Sequence, residues 1–347
     1  MLHAYLVIFS KKNEEMKKIA CIVFCLVTFW SCQNKSVDSP TSDNVTQRGM
    51  YFWKTTFVLN DYERDFLRKH KINKLYVRMF DVDVDENNVP IPIATIRFID
   101  SIPSGIEIIP VVYLTTKAVA NMEHKSLYAE KIIDRVYAMF SYNNLGTIFQ
   151  ELQYDCDWTK TTQNDFFELC KETKTRLYKT QKLCSTIRLH QLSQKKPPVD
   201  KGVLMLYNTG GLRNYNEENS ILKLNDVKNY IKSYSLPLDF AYPTFGWSVL
   251  FRNEDFKGIL HTTDFDSSCY KKIDEHWYQV EKTHETLEAK LFLGDEIRTE
   301  QPDFQTIQKV KSLINTTFNT SNSTTILYHL DSVHLTKYSY ENIEKIF

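Results

Sequence analysis

In the stretch FQELQYDCDWT, residues 149–159, Glu151, Gln153, Asp155 and Asp157 recur at every second position. That spacing puts their side chains on one face of a strand, about 7 Å apart for neighbours two residues apart along its axis. Two carboxylates at that separation, out of bulk water, do not both ionise easily. One pKa rises, as general acid-base chemistry near neutral pH requires. Asp155 and Asp157 are therefore the candidate catalytic pair, provided the fold turns this face toward a cleft. The competing structural role is a buried ion network in which the acids pair with Arg78, Arg188 or Lys54.

Positioning such a face requires a particular architecture. Strand-like runs occur at residues 50–57, 74–83, 107–115, 147–157, 182–190, 203–208, 238–247 and 324–331. Amphipathic helical stretches such as LNDYERDFLRKH, LYAEKIIDRVYAMF, TQNDFFELCKETKTRLYKT, LNDVKNYIKSY and DFQTIQKVKSLI separate several of them. Eight strands alternating with helices predict an α/β fold, a (β/α)8 TIM barrel over residues 49–347. The link after the fifth strand, QLSQKKPPVDKG, is too short and proline-rich for a good helix. Residues 250–300 predict a small strand-rich insertion between the seventh and eighth strands. In such barrels functional groups gather at the C-terminal strand ends, where Arg188, His190, Tyr207, Asn208, Tyr242 and Trp247 are the candidate substrate contacts. Aromatic faces beside carboxylates and amides suit sugar rings, whose C–H faces stack while their hydroxyls hydrogen-bond.

Other motifs exclude chemistry. Asp81, Asp83 and Asp85 lack the glycine and distal glutamate of a calcium loop and read as a solvated turn. The Gly-Gly pair in YNTGGLRNYNEENS has neither a phosphate-loop lysine nor dinucleotide spacing, and reads as a mobile rim loop. No Ser-His-Asp or His-Glu-x-x-His pattern supports protease or esterase chemistry. No metal site and no cofactor are expected. With 43 basic and 43 acidic residues and no basic cluster, the chain lacks the electrostatic footprint of a nucleic-acid binder.

The first 32 residues predict an export signal with a lipoprotein cysteine. From Met16, the expected true start, MKKIACIVFCLVTFWSC carries two lysines and a short apolar run ending at Cys32. It resembles a bacterial lipoprotein signal, which implies lipidation of Cys32 and anchoring at the cell envelope, on the outer membrane; the lipid would be the only membrane contact. Residues 33–48 have the composition of a flexible tether. Of seven cysteines, Cys156, Cys170, Cys184 and Cys269 remain after the signal, and none has metal-ligand spacing. They read as buried free thiols.

YDCDWT resembles the Asp-x-Asp-Trp-Glu end of the family 18 glycoside hydrolase signature, and MLYN, residues 205–208, resembles that family's Met-x-Tyr-Asp. More broadly the chain resembles barrel lipoproteins of polysaccharide-using bacteria. The resemblance implies that Asp155, Asp157 and Tyr207 match the family's two aspartates and tyrosine, and that the ligand is a glycan. The family's proton-donor glutamate falls on Thr159, its sixth-strand aspartate on Asn208 and its first aspartate on Leu152. Two readings follow: a glycoside-hydrolase-like enzyme in which Asp157 is acid or base and Asp155 its partner, or a non-catalytic glycan-binding or envelope interaction protein on the same barrel.

Overall fold

The computed structural model describes residues 47–261 and 265–347. The signal region, Cys32 and nearly all of the tether lie outside the described residues. Eight parallel strands form the central sheet: β1 (Gln47–Phe52), β2 (Lys74–Val84), β3 (Glu107–Leu114), β4 (Glu151–Asp155), β5 (Lys182–Arg188), β6 (Lys201–Met205), β7 (Leu238–Pro243) and β8 (Thr324–Tyr328). β1 pairs with β2 on one side and β8 on the other, so the ring closes into a TIM barrel. Gly49 sits at that closure. A Cβ there would lie 2.9 Å from the Tyr76 ring, so only glycine lets the lumen side chain fit.

The strands are rich in Val, Ile, Leu and Tyr because both of their faces are covered. Outward residues pack beneath helices whose apolar positions repeat every three or four residues. α1 (Asp61–Lys69) buries Phe66 and Leu67, and a capping box between Asn60 and Glu63 starts it. α2 (Thr116–Asn121) and α3 (Lys125–Tyr142) follow β3. α4 (Gln163–Arg176) buries Phe166, Leu169 and Cys170 after β4. α5 (Leu224–Tyr230) precedes β7, and α6 (Phe304–Thr317), capped by Asp303, buries Ile307, Val310 and Ile314. α7 (Ser332–Leu335) and α8 (Tyr340–Ile346) follow β8.

Two connections depart from the repeating unit. Between β2 and β3 the strand Pro90–Ile93 runs antiparallel to β2 in place of a helix. Between β5 and β6 there is one 3-10 turn, Leu189–Ser193, as the prolines of that link predict. The insertion between β7 and β8 is a separate antiparallel sheet in the order Asp255–Leu260, Trp247–Arg252, Glu296–Glu300, Trp277–Val280, Tyr270–Lys272. Its first strand begins at Trp247, a residue the sequence pattern assigned to the seventh barrel strand.

The loop after β6 is not the mobile rim that its glycines suggest. Arg298, fully buried, donates to the carbonyls of Leu212, Asn214 and Tyr215 and pairs with Glu300 at 2.7 Å. Glu300 in turn accepts from the Ser220 backbone N–H and hydroxyl. Glu217 folds back onto the Gly211 N–H at 3.0 Å. The aspartate run at the end of β2 is only partly solvated, and its first two members lie within the strand. Asp81 is buried against Arg78, and Asp83 accepts from the Thr115 hydroxyl. Only Asp85 serves the turn, accepting from the backbone of Asn87 and Val89.

Candidate functional site

Alternation along β4 separates two environments. Leu152 and Tyr154 point outward, with the Tyr154 hydroxyl 2.9 Å from Thr173 of α4. Glu151, Gln153 and Asp155 point into the lumen and form a polar column from floor to mouth. At the floor Lys201 lies 2.6 Å from Asp239 and 3.2 Å from Glu151, and Lys74 adds a weaker contact to Glu151 at 3.8 Å. Glu151 is thus tied up with lysines at the floor, away from the mouth. In the middle, the Tyr51 hydroxyl donates to Gln153 at 2.7 Å.

Asp155 ends the column and lines a cleft of about 570 Å³ at the barrel mouth. Its side chain accepts from the Thr186 hydroxyl at 2.7 Å and is 2 % exposed. Burial holds its pKa above the ordinary aspartate range; Arg188 opposes that rise and Asp157 adds to it. The expected elevation is present, with burial rather than the neighbouring acid as its main cause. Asp157 lies beyond the strand end, half-exposed, and is gripped by Arg188. The guanidinium Nε and Nη2 each donate to one carboxylate oxygen, the latter at 3.0 Å. This is the bidentate geometry that arginine forms with carboxylates. A second arginine, Arg78, pairs with Asp81 on β2, its Nε donating at 2.6 Å.

An aromatic cluster completes the mouth. Tyr207 stacks on Tyr328 with centroids 4.8 Å apart and meets Phe245 edge-on at 5.9 Å. Trp53 lies 5.7 Å from Tyr328, and Trp247 lies 5.3 Å from Phe245. The indole N–H of Trp247 donates to Glu300 at 3.0 Å, so the residue that tethers the loop after β6 also fixes this ring. The Tyr207 hydroxyl is buried without a hydrogen-bond partner, and burial raises its pKa well above the usual tyrosine range.

Of the residues singled out by sequence, Asp155, Asp157, Arg188, Tyr207, Asn208 and Trp247 line this one cleft. Asn208 takes a left-handed backbone conformation, φ 56°, which asparagine tolerates. Two candidate contacts do not reach it. Tyr242 alternates with Asp239, a lumen residue, and so is buried on the opposite face of β7. His190 leaves the strand alternation because β5 stops at Arg188 and turns into the 3-10 segment, which carries its side chain to the surface. Thr159, at the family's acid position, is exposed and bonds to Thr161 and Thr162.

Sequence reading missed Trp53, Tyr113 and His334, all of which line the cleft. The first two carried a signal: Trp53 is two residues beyond the inward Tyr51, and Tyr113 pairs in register with Asp155. His334 lies past β8 in α7, where strand periodicity has ended. Cys156, Cys170 and Cys184 are buried free thiols and Cys269 is half-buried and free. Among the described residues no group of three or more His, Cys, Asp or Glu side chains could hold a metal ion, and no helix is long and apolar enough to cross a membrane.

No family model and no curated protein matches the chain. Among solved structures it is similar to the spore cortex-lytic enzyme SleL of Bacillus megaterium QM B1551, at 10 % identity and a TM-score of 0.49 over 82 % of this chain and 70 % of that one. A chitinase from Bacteroides thetaiotaomicron gives 10 % identity and a TM-score of 0.48, covering 86 % of this chain and 93 % of that one. The family 18 chitinase ChiB of Flavobacterium johnsoniae gives 14 % and 0.43, with 87 % and 93 % covered. The chain is thus similar, at low identity, to barrels of the family 18 glycoside hydrolases, and its own strand pairing carries the fold.

Proposed function

We propose that the barrel binds a glycan at its mouth without cleaving it. One observation carries this reading: Asp157, the only half-exposed member of the acidic pair, has both oxygens engaged by Arg188, while Thr159 is turned out to solvent. With both oxygens taken up by the guanidinium, the side chain reaches a glycosidic oxygen only by giving up part of that pairing. The aromatic faces of Trp53, Tyr328, Phe245 and Trp247, beside the Tyr207 hydroxyl and Asn208, support a sugar ligand. The test is affinity electrophoresis and calorimetry on a panel of soluble glycans, with chromatography of the reaction mixtures. Retention without new products is expected, with retention lost in Trp247→Ala. Products from the wild type that are absent with Asp157→Asn would replace binding by hydrolysis.

Hydrolysis is the second reading, with Asp157 as acid or base and Asp155 as its partner. It is favoured by the raised pKa of the cleft-lining Asp155, which keeps that carboxyl protonated to higher pH than usual. In either reading the protein works at the bacterial cell envelope, carried on the outer membrane by lipid on Cys32. The sequence from Met16 to Cys32 supports this. Radiolabelled palmitate should enter the full chain and not Cys32→Ala; equal labelling of the two would remove the anchor.

A further inference from the structure

In the ring, β8 stands across from β4, and the cleft has a wall there that the acid–arginine side does not use. His329, directly after β8, and His334, in α7, both line it. The Nδ1 atom of each imidazole is buried and without a hydrogen-bond partner. Each ring therefore meets the cleft through its remaining atoms, which leaves the other ring nitrogen as the group a ligand could address.

The charged groups around them are already engaged with one another. Asp331 caps α7 through the Val333 N–H at 2.9 Å and lies 3.6 Å from Lys54, which also holds Glu63 at 2.9 Å. Among the described residues, His261 and Lys337 also act on them. Burial lowers the pKa of both histidines, that of His329 to about 4, so both rings are neutral near pH 7. A neutral imidazole carries one donor and one acceptor nitrogen, the complement of a hydroxyl group that both gives and takes a hydrogen bond. Arg188 is committed to Asp157 and Arg78 to Asp81, so neither arginine is left to pair with an acidic sugar.

We propose that His329 and His334 form a second subsite, on the β8 wall, that takes the hydroxyls of an uncharged sugar unit. The assignment rests on the glycan-binding reading above and names both the wall and the charge class of the ligand. The test uses the full chain with cellohexaose, mannohexaose and chitohexaose as uncharged probes, tetragalacturonate as the acidic one, and zinc chloride alone. His329→Phe and His334→Phe remove the ring nitrogens and keep an aromatic ring. Each should weaken binding of an uncharged hexasaccharide about tenfold with the melting temperature held or raised. Tetragalacturonate should bind at least tenfold more weakly than that hexasaccharide.

If the wild type binds none of the four sugars, the glycan reading and this subsite fail together. If it binds and both Phe variants match it, the subsite alone fails. Preference for tetragalacturonate overturns the charge class, and zinc binding abolished by either variant reassigns the pair to a metal. Should a Phe variant not fold, imidazole nitrogen NMR of the wild type decides. Resonances of both rings should shift on adding the bound hexasaccharide, and unmoved resonances overturn the proposal.

Discussion

Arg188 reaches across from the end of β5 to clasp both oxygens of Asp157, just beyond the end of β4, while Asp155 two residues earlier keeps only the Thr186 hydroxyl as a hydrogen-bond donor. The two aspartates that alternate on one strand face therefore live in opposite environments. One is half-exposed and ion-paired; the other is a desolvated carboxyl whose ionisation is disfavoured.

The clasp predicts unequal effects of its two halves. Asp157→Asn leaves a mostly desolvated guanidinium with one weaker acceptor, and because Asp157 is half-exposed the loss should be about 1–2 kcal/mol in urea unfolding. Arg188→Met also strips Asp155 of the positive charge that most opposes its rise, so its pKa should climb further. A carboxyl carbon NMR titration that found Asp155 unmoved in Arg188→Met would break this link.

Asp155 should make the protein less stable as pH rises. Its folded pKa lies above the unfolded value of 3.8, so the favourable protonated state is fully present below that value and is lost as pH climbs through the folded pKa. Asp155→Asn keeps an acceptor for Thr186 and carries no charge. Its melting temperature should exceed that of the wild type at pH 7, with the gap closing by about pH 3. An equal gap at both pH values would assign the effect to packing.

His329 has the opposite sign. Burial holds its folded pKa at about 4, below the usual 6.5, so the neutral ring's stability is complete above 6.5 and is lost as pH falls toward 4. The acid limb attributable to this ring is on the order of 3 kcal/mol. Chemical unfolding of His329→Gln from pH 7 to 4 should show a shallower decline than the wild type; parallel curves would locate the acid sensitivity elsewhere.

Glu300 is expected to hold the rim together. It binds Arg298, Ser220 and the Trp247 indole, and both it and Arg298 are buried. Glu300→Gln leaves the Arg298 charge without its carboxylate, a loss of about 3–5 kcal/mol. Hydrogen exchange should accelerate across residues 209–222 before it does in the barrel strands. Protection there equal to the wild type would mean that the carbonyl contacts of Arg298 suffice to hold the loop.

Legibility in the sequence followed the range of the interactions involved. Strand alternation is local, so the inward Glu151, Gln153 and Asp155 and the outward Leu152 and Tyr154 could be read from five residues. Tyr242 shows where a residue's position near a strand end misleads, because its parity with Asp239, whose lumen side is fixed by contact with Lys201 on the neighbouring β6, sends it outward. His190 was lost to a turn that begins two residues earlier than the apolar pattern suggested.

By itself the sequence determined the eight-stranded ring, its insertion before the last strand, and an acidic face directed into the lumen, because these depend on residue periodicity and on chain segments following one another. Only the tertiary structure decided which carboxylate is free. Arg188 is far along the chain from Asp157, and Lys201 is farther still from Glu151. The fate of each charge depends on a partner brought in by closure of the barrel, and electrostatic energy is set by distance in space and by burial, neither of which a one-dimensional pattern contains.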